Sequence, residues 1–152
     1  MQLDRYDLQI LNILQQDGRI SNQELADRIG LSASPCLRRV KALEESGLIT
    51  GYHAVLDAKK MGLSLLALIH ISMDQHTPER FNNFEAMIAE IPEVLECHMV
   101  AGGFDYLVKA RVKDMAAYRE FLGKTLLQKG VRETHTYAVM EEVKNTTKLP
   151  IR

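Results

Sequence analysis

The sequence predicts an α+β protein in which three short helices precede a βαββαβ layer domain, and three observations carry that prediction. Up to Gly47 the apolar residues recur at helical spacing in segments punctuated by Gly18, Gly30 and Gly47. From Leu63 onward, alternating apolar runs flank two further helical segments. Between Ser32 and Leu43 there are three cationic side chains and no carboxylate, in a chain of formal net charge -1. That local bias points to a polyanionic partner for one helix.

Composition narrows the classes. With 152 residues, 46% hydrophobic and 26% charged, the chain is an ordinary globular one that can bury a core. Residues 1–60 hold eight Lys or Arg against eight Asp or Glu, so a strongly basic nucleic-acid coat is excluded and phosphate contacts must come from patterned charge. The longest mostly apolar run, Leu63 to Ile71, is far short of the roughly 20 residues a membrane helix needs. No membrane partner is predicted. The acidic start MQLDRYDLQI does not resemble a secretory signal, so a cytoplasmic location is expected. Cys36 and Cys97 have neither disulfide nor zinc-ligand spacing and read as small core residues.

Asp4 followed by Asp7 reads as a capped helix start, with Ile10, Leu11, Ile13 and Leu14 as the apolar side before Gly18. Ser21 and Glu24 form a capping-box pattern for a second helix that buries Leu25, Ala26 and Ile29 and ends at Gly30. Small Ala26 and a Gly30 free to take positive φ suit the steep crossing of a helix-turn-helix. The third helix, SASPCLRRVKALEESG from Ser32, takes Ser32 as cap and tolerates Pro35 in its first turn. Cys36, Val40 and Leu43 share one face, while Ser34, Arg38 and Lys41 point the other way and Arg39 falls on the flank. Leu48 to Leu56 reads as an extended wing or hinge strand, which closes a DNA-binding domain over residues 1–56. DAKKMG, residues 57–62, is the expected linker.

The second domain, residues 63–152, reads as strand SLLALIHIS, helix PERFNNFEAMIAE, strands VLECHMVA and FDYLVKARV, helix DMAAYREFLGKTLLQ and strand VRETHTYAVME. Two βαβ units with both helices on one face make a ferredoxin-like fold. Alternation assigns Leu65, Ala67, Ile69, Cys97, Met99, Tyr106, Val108, Ala138 and Met140 to the helix-covered face. Leu66, Leu68, His70, His98, Leu107, Tyr137 and Val139 then make an apolar open face that predicts pairing with a second copy. A homodimer would set two reading helices about 34 Å apart for successive major-groove half-sites.

Three stretches identify a resemblance: DGRISNQELADRIGLSASPCLRRVKALEESGLITGY from Asp17, ECHMVAGGFDYLVKARVKDMAAYR from Glu96, and THTYAVMEEVK from Thr134. They resemble the leucine-responsive regulatory protein/asparagine regulator (Lrp/AsnC) family of transcription regulators, its leucine-responsive branch in particular, nearly end to end. The resemblance implies a winged helix-turn-helix on double-stranded DNA and a ligand-binding domain that dimerises by its sheet. It also implies assembly into tetramers, octamers or open chains, nucleoid association, and an amino-acid effector held where ligand domains of neighbouring dimers meet. Leucine or another small aliphatic amino acid is the effector the resemblance implies. Two departures stand out: Gly103 replaces an Asp common in relatives and so removes a charge beside the turn, which bears on ligand preference, and GKTLLQKGV is one residue short and lacks a proline.

Ser32, Ser34, Arg38, Arg39 and Lys41 are the predicted DNA contacts. A guanidinium can grip guanine in bidentate fashion, which favours Arg38 for a base edge and leaves Arg39 and Lys41 to phosphate. Against this stands a plain solvated helix face. The resemblance places the effector at Met99, Gly102, Gly103, Phe104, Asp105, Met115, Tyr137, Ala138 and Val139. Turn N–H groups suit a carboxylate, Asp105 an ammonium, and Met and Val side chains an aliphatic substituent. The alternative is an ordinary hairpin turn and core methionines. His70, His98 and His135 lack metal-ligand spacing, so neither a metal nor a cofactor is predicted. No catalytic constellation can be assembled either. A different class stays open: a small-molecule-binding or enzymatic ferredoxin-like domain whose helical N-terminus docks protein.

Overall fold

A computed structural model describes residues 2–123, 127 and 130–151. The chain separates into two compact units, Met1–Val55 with Lys144–Arg152, and Leu56–Val143.

The first unit contains α1 (Arg5–Gln16), α2 (Asn22–Ile29) and α3 (Ala33–Glu45). Asp4 and Asp7 form the anticipated capping box, each side chain accepting from the other's backbone N–H at 3.0 Å. Ser21 Oγ accepts from the Glu24 N–H at 3.2 Å and starts α2. Gly30, at φ 71, ψ 35, ends it in the left-handed conformation that a side chain would resist. The helices close on Ile10, Leu25, Ala26, Ile29, Cys36 and Leu43, with Ile10, Ala26 and Cys36 fully buried. The apolar stripe of α3 therefore faces inward, and burial raises the Cys36 thiol pKa.

Beyond α3 the segment expected as a wing or hinge strand does not form a strand. Residues 50–57 have no regular secondary structure, and the segment is held instead by Ile49 N–H on the Leu43 carbonyl at 3.2 Å and Tyr52 Oη on Glu44 at 2.9 Å. A strand is defined by its ladder, and no described strand lies alongside this segment to complete one. Residues 57–62, the expected linker, lie just past the boundary between the two units. They form one helical turn, with Asp57 accepting from the Met61 N–H and Gly62 closing it, and they count with the second unit. Residues 144–151, placed by sequence in the second domain, cluster with the first unit. Gln15 receives the Leu149 N–H at 2.6 Å and donates to the Leu149 carbonyl at 3.1 Å, as another peptide group would.

The second unit has β1 (Leu65–Met73), α4 (Pro78–Ala89), β2 (Val94–Met99), β3 (Tyr106–Val112), α5 (Met115–Phe121) and β4 (Val131–Ala138). The sheet order is β2-β3-β1-β4, and every pair is antiparallel. This is the ferredoxin-like arrangement. One face, with Ala67, Ile69, Ile71, Tyr106, Val108 and Ala110, packs against Phe84 and Ile88 of α4 and Tyr118 and Phe121 of α5. Gly130, at φ 110, turns the chain into β4 and accepts the Asp74 N–H at 2.9 Å.

The ends of two elements bear on the sequence reading. The helix expected to reach Gln128 is described only through Phe121, and residues 124–126, 128 and 129, within GKTLLQKGV, lie outside the described residues. β4 stops at Ala138, so Met140 is fully exposed rather than covered by helices. Met99 and Ala138 keep the predicted face by register with Tyr106 and Ala67, yet both are exposed because each ends an edge strand. The open face is also less apolar than alternation implied. Leu66, Leu68 and Leu107 form its centre, but Lys109 pairs with Glu96 at 2.9 Å and Arg111 with Glu142 at 2.6 Å. Those cations hold the pKa values of Glu96 and Glu142 below the usual carboxylate range.

Candidate functional site

The candidate nucleic-acid surface begins at the turn after α2. Ser32 occupies the cap position of α3, yet its side chain makes no capping hydrogen bond. Asn22 secures this corner instead, donating Nδ2 to the Ala33 carbonyl at 2.9 Å and so tying the start of α2 to the start of α3. That brace was not read from the sequence, because its partner is a backbone carbonyl. The hydroxyl of Ser32 stays exposed at a helix N-terminus, where N–H groups and the helix dipole favour anions.

Ser34, Arg38 and Lys41 lie exposed along one side of α3. Among the described residues neither Arg38 nor Lys41 has an ion-pair or hydrogen-bond partner, so both cations are available to a ligand. Arg39 is placed differently. Its Nη1 lies 2.8 Å from both Asp4 and Asp7, and its guanidinium stands 5.3 Å from the Tyr6 ring centre. The aspartates raise the Arg39 pKa. The Asp7 N–H, with Arg39 assisting, lowers that of Asp4. Adjacent arginines thus have separate tasks: Arg39 binds α1 to α3 and Arg38 faces outward. Only the fold could reveal this, since Asp4 and Asp7 are more than 30 positions away in sequence.

The second candidate site is the turn between β2 and β3. Its ends are anchored by the Val100 N–H on the Asp105 carbonyl and the Asp105 N–H on the Ile71 carbonyl, both 2.9 Å. Its middle is free. Gly102 and Gly103 are exposed, neither has positive φ, and a Cβ on either would meet nothing within 4 Å. The fold of this chain alone therefore gives no steric reason for two glycines. Among the described residues the N–H groups of Gly102, Gly103 and Phe104 are unpaired, and they offer donors to a carboxylate.

Asp105, the residue expected to accept from an ammonium, already has two partners within the chain. Oδ2 accepts from the Met73 N–H at 2.7 Å and Oδ1 lies 2.9 Å from His76 Nε2, with only 20% of the side chain exposed. It organises the end of β1. Phe104 stacks on His70 at 3.8 Å, and Tyr137 comes within 4.9 Å of the same ring. Met99, at the end of β2, lies beside the turn and lines a cleft of about 410 Å³ together with Cys97, whose thiol pKa burial pushes to about 11.

The remaining residues do not converge. Met115 starts α5, beyond the far end of β3, and the seven residues of that strand span about 20 Å. Ala138 and Val139 end β4 near Ala67 and Leu66, also away from the turn. One amino acid cannot touch all nine positions within one chain.

Each of the two units matches a known family model. The winged helix-turn-helix DNA-binding model matches residues 3–50, and the Lrp/AsnC ligand binding domain model matches residues 66–149. The leucine-responsive regulatory protein of Salmonella typhimurium is 52% identical over 99% of this chain and 92% of its own length. Its Escherichia coli K12 counterpart is 51% identical over the same shares. Among solved structures, a transcriptional regulator of Neisseria meningitidis in complex with L-Met has a TM-score of 0.94 at 41% identity, covering 98% of this chain and 97% of its own. An AsnC family transcriptional regulator of Agrobacterium tumefaciens has a TM-score of 0.94 at 36% identity, covering 97% of both. A DNA-binding helical unit joined to a ferredoxin-like ligand-binding unit, matched over nearly the whole chain by these relatives, establishes that the chain belongs to the Lrp/AsnC family of transcription regulators.

Proposed function

We propose that the chain regulates transcription as a homo-oligomer whose assembly on double-stranded DNA responds to a small aliphatic amino acid, leucine or a close analogue such as methionine. The observation that carries the effector reading is the scatter of its nine positions around one sheet, beside a glycine turn with unpaired N–H groups. A site assembled from neighbouring chains brings such positions together, and the glycines leave room for that approach. A ligand bound there shifts assembly only to the extent that it prefers one arrangement over another. The L-Met complex of the meningococcal relative supports an effector of this size. The chain acts by binding rather than catalysis, in the cytoplasm and on the nucleoid. No described helix is long and apolar enough to cross a membrane.

On DNA, Arg38 reads a base edge with Ser34 beside it, Lys41 contacts phosphate, and Ser32 sits at the helix end. Arg39 is left out because two aspartates occupy it. Dimerisation duplicates the helix for successive major grooves. Binding-site selection and salt-dependent anisotropy test this directly. Arg38→Ala relaxes preference at one base position by about 1–3 kcal/mol, whereas Lys41→Ala weakens all sequences alike and reduces the salt slope by about 1. Identical selected sites for wild type and Arg38→Ala would remove the base-reading role. For the effector, a thermal-shift screen of the common amino acids should give hits among the aliphatic ones, and a screen without any would sink that half.

A further inference from the structure

His70 belongs to neither set of site residues, yet it joins two of them. It lies in β1 on the face away from the helices, opposite Leu107 of β3 and His135 of β4. Its ring lies nearly flat on Phe104, 11° from parallel with centroids 3.8 Å apart, too close for a water or a methyl group to intervene. Tyr137, which pairs with Leu68 in the ladder and is 55% exposed, approaches the same imidazole at 4.9 Å and 54°. Among the described residues Phe104 and Tyr137 share no ring contact, and the His70 imidazole has no hydrogen-bond partner. Beside the backbone ladder that β1 shares with β4, its side chain meets Phe104 and Tyr137 through its ring faces and edges.

The turn is tied at Val100 and Asp105 and untied between them, so a carboxylate received by the free N–H groups acts on Gly102, Gly103 and Phe104. A displacement of Phe104 is passed to the ring stacked against it. That ring sits beside Tyr137, which belongs to the sheet face left uncovered by helices. We propose that His70 is a positioning residue that couples effector occupancy at the glycine turn to Tyr137, and through it to the pairing of chains by the open sheet face. The inference rests on the effector reading above for its biological use. The physical coupling is testable without an effector.

The full chain is used throughout. In unliganded protein, Phe104→Leu should shift the Tyr137 ring resonances, and the shift should disappear in a His70→Ala background. His70→Phe keeps a flat ring and should restore it. An equal Tyr137 shift with and without His70 overturns the coupling, and His70→Gln replaces the alanine variant should that fail to fold. With L-methionine and L-leucine as probes, sedimentation should show an amino-acid-dependent change of assembly in wild type and His70→Phe. His70→Ala should lose that change while calorimetry still registers binding. Retention of the full assembly response by His70→Ala overturns the proposal, as does loss of binding itself, which would make His70 a contact. If wild type binds neither amino acid, the effector reading fails and the resonance experiment decides the coupling alone.

Discussion

Helix α3 and the β2–β3 turn each gather part of a functional surface, but by different means. On α3, Ser34, Arg38 and Lys41 share an exposed side because a helix repeats every 3.6 residues, so one element suffices. Around the sheet, Gly102, Met115 and Tyr137 sit at different ends and faces, and only contacts between elements or between chains bring them into one function. The helix is a local device and the turn a tertiary one. Within each, a charged residue that the motif assigns to a ligand is spoken for by the fold: Arg39 in the first, Asp105 in the second.

The largest expected effect that separates fold from ligand concerns Asp105. Asp105→Ala strands the Met73 N–H and removes the His76 contact, at a cost of about 1–3 kcal/mol. Urea denaturation should register that loss. Lost amino-acid binding with unchanged stability would return Asp105 to the ligand. Arg39→Ala comes next: it should lower unfolding free energy by about 1 kcal/mol through the half-buried pair with Asp7. Its selected DNA site should match wild type, and a changed site would place Arg39 on DNA after all.

The smallest effect is the acid limb of stability. The ordinary pKa values are 3.8 for Asp4 and 4.5 for Glu142, and the folded protein lowers both. Groups lowered by folding stabilise above their unfolded values, and that contribution is lost as pH falls through the folded ones. Unfolding free energy should therefore decline below about pH 4.5, the Glu142 value. Asp4→Asn should flatten the decline in the first unit and Glu142→Gln in the second. Unaltered acid profiles in both variants would remove these pairs from the account.

Much of the fold was legible because it is written at short range. Asp4 with Asp7 and the Cys36, Val40, Leu43 stripe are local patterns found where their spacing puts them, and Ser21 caps α2 through the Glu24 N–H although the Glu24 side chain turns to Arg28 rather than completing the box. The βαββαβ order followed from periodicity, and its sheet order from the few topologies such units allow. The region from Leu48 to Leu56 misled because extended character needs a neighbouring strand to become structure, and residue type carries no information about that neighbour. Met140 misled for a related reason: alternation assigns a face only while the ladder continues.

Sequence alone therefore determined the three helices of the first unit, the βαββαβ order, the family and the outward side of α3, all consequences of spacing along one chain. Tertiary structure decided which charges were left over. Arg38 and Arg39 are identical neighbours by chemistry, and they part only because α1 brings Asp4 and Asp7 against one of them. Asp105 reads from the sequence only as a ligand's acceptor, and the fold adds a donor from the end of β1 at 2.7 Å. Ion pairs and hydrogen bonds depend on separation in space, and positions distant in the sequence acquire one only when the chain folds.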